Sequence, residues 1–529
     1  MGSKRGLFIL FLLIGLTGRT QLFLPLHTYY SDEVERVRID DTLTDSHFQH
    51  HVSFKPVSDS RTNFSKIYEN NEKYYYWITQ KLFKENFIVF EGEDFWCSID
   101  PIIDLELGSD LSADSLERLY WNTRGIRIQG KFFDKVGFST SVFENQAFLP
   151  QYQSDFVDAH GEFFPNSLNT KYQQNNAVIP GYARTKAFKT TGYDFAFAEG
   201  SVLFAPNKNI NFQLGNGNQF IGNGYRSLLL SDYSTNYPFA KIETNFWDGR
   251  IQYIAMYAMH QNLYRLFEYS TPEATFEKKI GTYHYLEVSV AKNLQIGIFE
   301  ANHWKRADSL GSHKPDLLFT NPIILFNTAV NSFNNEGFKS ILGLNTRFTL
   351  GNALFYGQAV FSGEGIGGFQ LGAKTFHFIF DKLSAGVEFN HVDLNTYLST
   401  DKRYNYSHYN LPLAHPLVAG FNELTTNFSY QGNHFFIQNR LTYSERFKND
   451  SLKIGNDILN PTNTINKPNH STFVVQNQFE IGYRFNKNNN LQAFIGHLYR
   501  NETEPTPNPL TNYTYMGVRT SIKNKYLDF

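Results

Sequence analysis

The sequence predicts an all-β fold: a transmembrane antiparallel β-barrel of about 18 strands, with 16 the other even count compatible, preceded by a small N-terminal helical region. Three observations predict it. From about Thr123 onward, apolar and polar residues alternate with period two, over segments of about ten residues. Tight turns and long polar connections join these segments. Aromatic residues make up 17% of the chain, with 51 Phe and 32 Tyr, a surplus that suits aromatic girdles at the two edges of a lipid-facing belt.

The totals narrow the choice. The chain has 529 residues, and its 48 basic and 50 acidic side chains nearly cancel, so no nucleic-acid footprint is present. Charged residues are only 19%, yet the mean hydropathy is −0.40, which excludes a bundle of apolar spanning helices. A single cysteine, Cys97, excludes an internal disulfide framework and reads as a small buried side chain. Lys4 and Arg5 precede the apolar run Leu7 to Leu16, the pattern of a signal peptide over residues 1–20, with Gly18 and Thr20 at the small-residue positions. Export from the cytoplasm is the expectation.

Residues 21–121 read as an N-terminal periplasmic region. The stretch 65–86 suits a helix with Tyr, Trp and Leu on one side, and 112–121 (SADSLERLYW) suggests a second, capped by Ser112 or Ser115. His47, His50 and His51 could approach a metal, but no carboxylate or cysteine completes a set, so a solvated turn is the reading. The barrel is expected over 122–529. In "GIRIQGKFF", Ile126, Ile128 and Phe132 share one face, and Arg127, Gln129 and Lys131 the other. In "NINFQLGN", Ile210, Phe212 and Leu214 oppose Asn211 and Gln213. In "TFVVQNQFEIGYRF", Phe473, Val475, Phe479, Ile481, Tyr483 and Phe485 oppose Val474, Gln476, Gln478, Glu480, Gly482 and Arg484, with Asn477 the exception on the apolar face. Tight turns fall at 133–135, 206–209, 247–249, 351–352, 431–433 and 486–490, and long connections at 146–191, 217–236, 301–336, 395–420 and 446–470. Tandem β-sandwiches would also give short strands, but not polar-small faces on nearly every one. Phe529, an aromatic residue after a terminal strand, fits barrel assembly.

The stretch 215–233, GNGNQFIGNGYRSLLLSDY, invites a phosphate-loop reading, and spacing excludes it. The third glycine of a dinucleotide fingerprint would fall on Phe220 or Ser227, and Asn223 stands where a P-loop needs lysine. Gly215, Gly217, Gly222 and Gly224 instead suit a loop that folds into a lumen, where Arg226 and Asp232 could pair with groups on the wall.

Three segments carry a family resemblance: "IDPIIDLELGSD" (99–110), "WNTRGIRIQGKFFDKVGFSTSVFENQAFLPQY" (121–152) and "GNGNQFIGNGYRSLLLSDYSTNYPFAKIE" (215–243). Through them the chain resembles the capsule-assembly Wzi-like family, and within it the gliding-motility RemB-like branch of the Bacteroidota. The resemblance implies an 18-stranded barrel in the outer membrane with an N-terminal periplasmic helical part, no enzymatic activity, and a role in capsular polysaccharide organisation or gliding. It carries no sugar-binding residue over.

Three functions follow. The first is a non-enzymatic barrel holding surface polysaccharide, or a surface adhesin or other outer-membrane protein, with Trp304, Lys305, Arg306, Tyr404 and Tyr406 as loop residues able to meet sugars. The second is a porin or specific transporter, with lumen-facing candidates Arg127, Lys131, Arg347, Glu388, Arg440, Glu480, Arg484 and Arg519. The third, an outer-membrane hydrolase, would draw on Ser312, His313 or His303, whose spacing matches no triad. Outer-membrane lipid is the common partner, and neither cofactor, metal nor nucleic acid is expected.

Overall fold

The computed structural model describes residues 24–42, 51–57, 75–113, 118–133, 135–165, 172–265, 276–308, 311–312, 317–335, 337–363, 365–399, 401–460, 466–503, 510–520 and 523–529. The signal-peptide reading of 1–20, His47, His50, Ser115 and His313 lie outside them.

Period-two alternation becomes a closed barrel of 18 antiparallel strands. The first nine are β1 (Phe95–Asp110), β2 (Leu119–Phe132), β3 (Val136–Phe148), β4 (Gly192–Asn207), β5 (Ile210–Gly217), β6 (Tyr237–Phe246), β7 (Ile251–Arg265), β8 (Phe276–Ala291) and β9 (Leu294–Asp308). The second nine are β10 (Phe338–Leu350), β11 (Ala353–Phe361), β12 (Ile366–Thr375), β13 (Leu383–Val392), β14 (Phe421–Gln431), β15 (Phe435–Lys448), β16 (His470–Asn486), β17 (Leu491–Glu502) and β18 (Leu510–Thr520). The wall closes where β18 pairs with β1, Tyr513 opposite Asp110 and Arg519 opposite Asp104. Short turns gather at one end of the barrel and long loops at the other.

Side-chain direction follows the alternation. In β5, Asn211 and Gln213 are buried on the lumen face while Leu214 points outward, 66% exposed. In β16, Gln476, Glu480 and Arg484 are buried inward, and Phe479 and Ile481 are exposed outward. Asn477, the exception on that outer face, accepts a hydrogen bond from Asn439 of β15 at 2.9 Å, which gives its amide oxygen a partner on the wall.

The structure moves the start of the barrel. Residues 95–110 are a full wall strand, paired on both sides, so the barrel begins at Phe95 rather than at 122. The cause is on its inner face: Ser98, Asp100, Asp104 and Glu106 are buried against the lumen, so a strand reads as a solvated acidic stretch. The helix expected over 112–121 is not formed in the described part. Ser112 turns back on Asp110, its hydroxyl donating to Oδ1 at 2.6 Å, and Leu119–Trp121 already belong to β2. Cys97 is only partly buried, on the outer face between Phe95 and Ile99.

The first described segment and the C-terminal segment both lie in the lumen. Helix α1 (Thr28–Thr42) lies inside the barrel near the short-turn end, where Arg347 of β10 donates to Glu35 at 2.7 Å and Lys374 of β12 to Asp32 at 2.6 Å. Beyond it, Phe54 and Lys55 pair with Ile221 and Phe220 of the long loop after β5. A second helix, α2 (Trp77–Phe83), sits at the short-turn rim, with Phe83 against Phe485 and the carbonyl of Glu85 accepting from Asn486 at 2.9 Å. After β18, residues 523–529 climb back through the lumen. Lys525 meets Asp104 at 2.6 Å midway, and Phe529 packs on Tyr152 and Phe156 of α3 (Gln151–Ala159), which belongs to the loop after β3. Phe529 is therefore a lumen residue, and β18 ends at Thr520.

The described part of the connection after β9, with a helix α4 (Phe326–Asn331), lies along the outer wall. The carbonyl of Phe319 accepts from Thr282 at 2.9 Å, and Tyr257 donates to the carbonyl of Thr320 at 3.2 Å. Glu300, on the outer face of β9, accepts from the backbone N–H groups of Leu325 at 2.7 Å and Thr328 at 3.0 Å, and faces His284 Nδ1 at 3.0 Å. The segment turns Leu317, Ile323, Phe326 and Val330 outward, continuous with the apolar belt.

Candidate functional site

The glycine-rich loop between β5 and β6 is the centre of the interior. It dips from the loop end until its backbone meets the wall. Gln358 of β11 accepts from Leu228 N–H at 2.8 Å and donates to the Ile221 carbonyl at 2.9 Å. Glu388 of β13 accepts from Tyr225 N–H at 2.8 Å and Arg226 N–H at 3.1 Å. Two glycines explain how the chain comes this close. Gly222 has φ of 141°, closed to ordinary side chains, and a Cβ on Gly224 would lie 2.0 Å from Glu388 Oε2. Leu228, Leu229 and Leu230 are fully buried, capped by Tyr397 and Tyr406, whose hydroxyls donate to the carbonyls of Leu228 and Leu229 at 2.6 and 2.8 Å.

Arg226 joins three chain segments. Its Nε and Nη2 donate to Glu423 of β14 at 3.2 and 3.0 Å, and Nη2 donates to the Asp528 carbonyl at 2.8 Å and lies 3.0 Å from its carboxylate. His415, from the loop after β13, faces Glu423 at 2.8 Å. Arg226 is 2% exposed, so none of this is surface pairing. Burial works against its charge, but Asp528 and Glu423 outweigh it and hold the guanidinium protonated. Asp232 pairs with the tail and not with the wall: Asn524 donates at 3.0 Å, and Tyr526 donates to the other oxygen. Burial raises its pKa, partly offset by these hydrogen bonds.

The wall residues singled out by alternation fall as follows. Arg347 holds Glu35 of α1; burial raises the Glu35 pKa, but Arg347 and Arg38 pull it down to about 2. Glu480 and Arg519 pair with each other across the inner wall. Arg440 donates to Asn427 and to the Tyr225 hydroxyl, both at 2.9 Å, and lies 3.7 Å over the Tyr225 ring. Arg484 donates to Asn490 and Gln431, both at 2.8 Å, and stacks 3.9 Å over Tyr29. Glu388 anchors the loop, Arg127 is buried on the inner face of β2, and Lys131, near the turn end of that face, is half-buried. Gly215 and Gly217 pair with β6 opposite Phe239 and Tyr237, as part of the wall.

The proposed loop residues are elsewhere. Trp304 packs on Phe338 on the outer wall, and Tyr404 and Tyr406 are buried. Lys305 and Arg306 are half-buried on β9. His51 is no solvated turn: Nδ1 meets Glu287 at 2.8 Å and Nε2 the Gly249 carbonyl at 3.0 Å. His303 contacts the Tyr283 hydroxyl at 3.0 Å inside the barrel. Among the described residues, no group of histidine, cysteine and acid side chains is arranged to hold a metal. Sequence reasoning missed Tyr225, Glu423 and Asp528. Glu423 had a signal, an acid on the polar face of "FNELTTNFSY"; Asp528 had none.

No protein-family model matches the chain, and no curated protein matches it. Among solved structures it is similar to Wzi of Escherichia coli, described as an outer membrane protein involved in group 1 capsule assembly and a carbohydrate-binding β-barrel. That match has a TM-score of 0.52 at 12% identity and covers 95% of this chain and 99% of the other, so what it shows is the fold. More distant matches include OccK2 of Pseudomonas aeruginosa, solved with glucuronate (TM-score 0.42, 9% identity, 80% of this chain and 97% of that one), and OprD of the same organism (TM-score 0.41, 9% identity, 80% and 94%).

Proposed function

We propose that this chain is a non-enzymatic outer-membrane barrel, exported by its N-terminal signal, that organises polysaccharide at the cell surface through its long-loop end. The observation that carries the reading is the occupied lumen. Helix α1, the glycine-rich loop and the 523–529 tail meet inside the wall and are locked by buried ion pairs. Such a barrel is built to hold its shape and not to pass solute. The outward apolar belt supports a lipid setting, and polar groups lining the interior fit one. The fold shared with a carbohydrate-binding barrel supports a glycan as the surface partner. A gliding-motility partner in the RemB-like sense rests on the sequence resemblance and is the finer form of the same reading.

Two measurements test this. In planar bilayers the purified chain gives little steady current, and immobilised protein retains polysaccharide extracted from the producing cells. A large open conductance with no glycan retention overturns the reading in favour of a porin.

A further inference from the structure

Among the described residues, Tyr75, Tyr76, Trp77 and Ile78 form the longest unbroken run of exposed large apolar and aromatic side chains, 59–92% open. Leu82, one helical turn beyond Ile78, continues it. Helix α2 is only seven residues long and buries none of its side chains. A helix that short has no stability of its own in water, so it needs a surface to lie on. The wall fixes where that surface must be. The carbonyls of Lys81 and Glu85 accept from Asn486 at 3.3 and 2.9 Å, and Asn86 donates to Asp100 of β1 at 2.6 Å. Phe83 lies 6.0 Å from Phe485, which leads on to Tyr483 and then Phe435 at 5.1 Å each, an aromatic row on the outer face of β15 and β16. The short strand Ile88–Glu91 pairs beside β1, with Ile88 opposite Ile99 and Phe90 opposite Cys97, so Ile88 and Phe90 share the outer face and are exposed there. Phe133 and Trp247, in short turns at the same end, are exposed as well and mark the edge of the apolar belt.

We infer that residues 75–90 rest in the interfacial layer of the bilayer leaflet at the short-turn end, with Tyr75, Tyr76 and Trp77 among the phospholipid headgroups. The patch continues the outer face that the membrane setting proposed above gives to lipid, and the inference rests on that setting. Tyrosine and tryptophan suit the place: each ring is apolar with one polar handle, and such rings concentrate at headgroup level. Ile78, Leu82, Ile88 and Phe90 offer purely apolar area to the acyl chains. Lys81, the one charged side chain of α2, lies 2.7 Å from Glu85, so the helix brings little net charge and a zwitterionic phospholipid suffices. Because Asn486 and Asp100 tie the segment to the wall, its open face cannot turn away from the leaflet. Part of the region that the sequence reads as periplasmic is thereby a membrane-surface element.

The test is fluorescence quenching of the full chain in phosphatidylcholine vesicles. Cys97→Ser removes the sole cysteine, and single cysteines are then placed by Trp77→Cys, Leu371→Cys or Asp450→Cys, each at an exposed position, and labelled with a fluorophore. Leu371, outward on β12, reports the belt, and Asp450, in the loop after β15, reports water. Spin-labelled phosphatidylcholine quenches from the lipid, and iodide quenches from the water. The label at 77 loses most of its fluorescence to lipid spin-labelled near the headgroup, less to lipid spin-labelled at the chain end, and is shielded from iodide relative to the label at 450. A label at 77 that iodide quenches as fully as the one at 450 overturns the inference. So does a label at 77 that neither quencher reaches, which would put a protein or a second copy of the chain over the patch. If the label at 371 escapes the lipid quencher too, the membrane setting itself fails, an outcome distinct from failure at 77 alone.

Discussion

Replacing Arg226 with methionine keeps most of the aliphatic stem of the side chain and removes its charged end. Glu423 and Asp528 then face each other across the junction, both nine-tenths buried or more, with no cation between them. Stranding buried charges in this way costs about 3–5 kcal/mol. If that cost falls on the seating of the loop and tail, their open population rises roughly 10²- to 5 × 10³-fold. The backbone N–H of residue 226 still reaches Glu388, so the barrel wall itself is not the target. The assay is steady current in planar bilayers together with protease cleavage of the tail in the folded barrel: Arg226→Met shows both, the unmodified chain neither. The decisive arm is the triple variant Arg226→Met, Glu423→Gln, Asp528→Asn. With all three charges gone, the stranded-charge cost disappears and most of the closed state returns. A triple variant as leaky as the single one would refute the electrostatic reasoning and assign the effect to lost packing.

Four further outcomes follow from the same geometry. Glu35 ionises near pH 2 when α1 is seated and near its ordinary 4.5 when it is released, so its pairing with Arg347 is fully present above about pH 4.5 and is lost as pH falls through about 2. Protease release of α1 rises across that window, by up to about 3 kcal/mol from the shift, and Glu35→Gln flattens the dependence. Gly224→Ala places a methyl group against Glu388 and Tyr356 and costs about 1–3 kcal/mol, read as a lowered unfolding midpoint on heat-modifiability gels. Leu371→Arg puts a charge at an outward position of β12 that is 62% exposed and destabilises the barrel in lipid by about 2–4 kcal/mol, measured by urea unfolding in vesicles. Glu300→Ala removes the acceptor for Leu325 and Thr328 and loosens the segment along the outer wall; a cysteine at Asn327 gains labelling if so, and stays protected if other contacts dominate.

The wall was legible because lipid and lumen impose opposite chemistry on alternate residues, as β5 and β16 display without ambiguity. The turns were legible for a related reason: Phe133, Trp247, Asp248 and Asn490 all take positive φ within the short connections. β1 was not legible, since Pro101 interrupts the strand signal and its inward acids imitate a solvated surface. Nor was the interior. Asp528 and Arg226 are 302 residues apart, and nothing local in either segment records that they meet. Of the four glycines, Gly222 and Gly224 lie where the loop meets the wall, Gly215 and Gly217 lie in the wall itself, and the partner of Asp232 is the tail.

The guanidinium of Arg226 is approached from opposite mouths of the barrel, by a loop descending from one side and a tail rising from the other. Neither can withdraw without breaking the same contact. A pull on that loop from one mouth therefore loads the same ion pairs that seat the tail from the other.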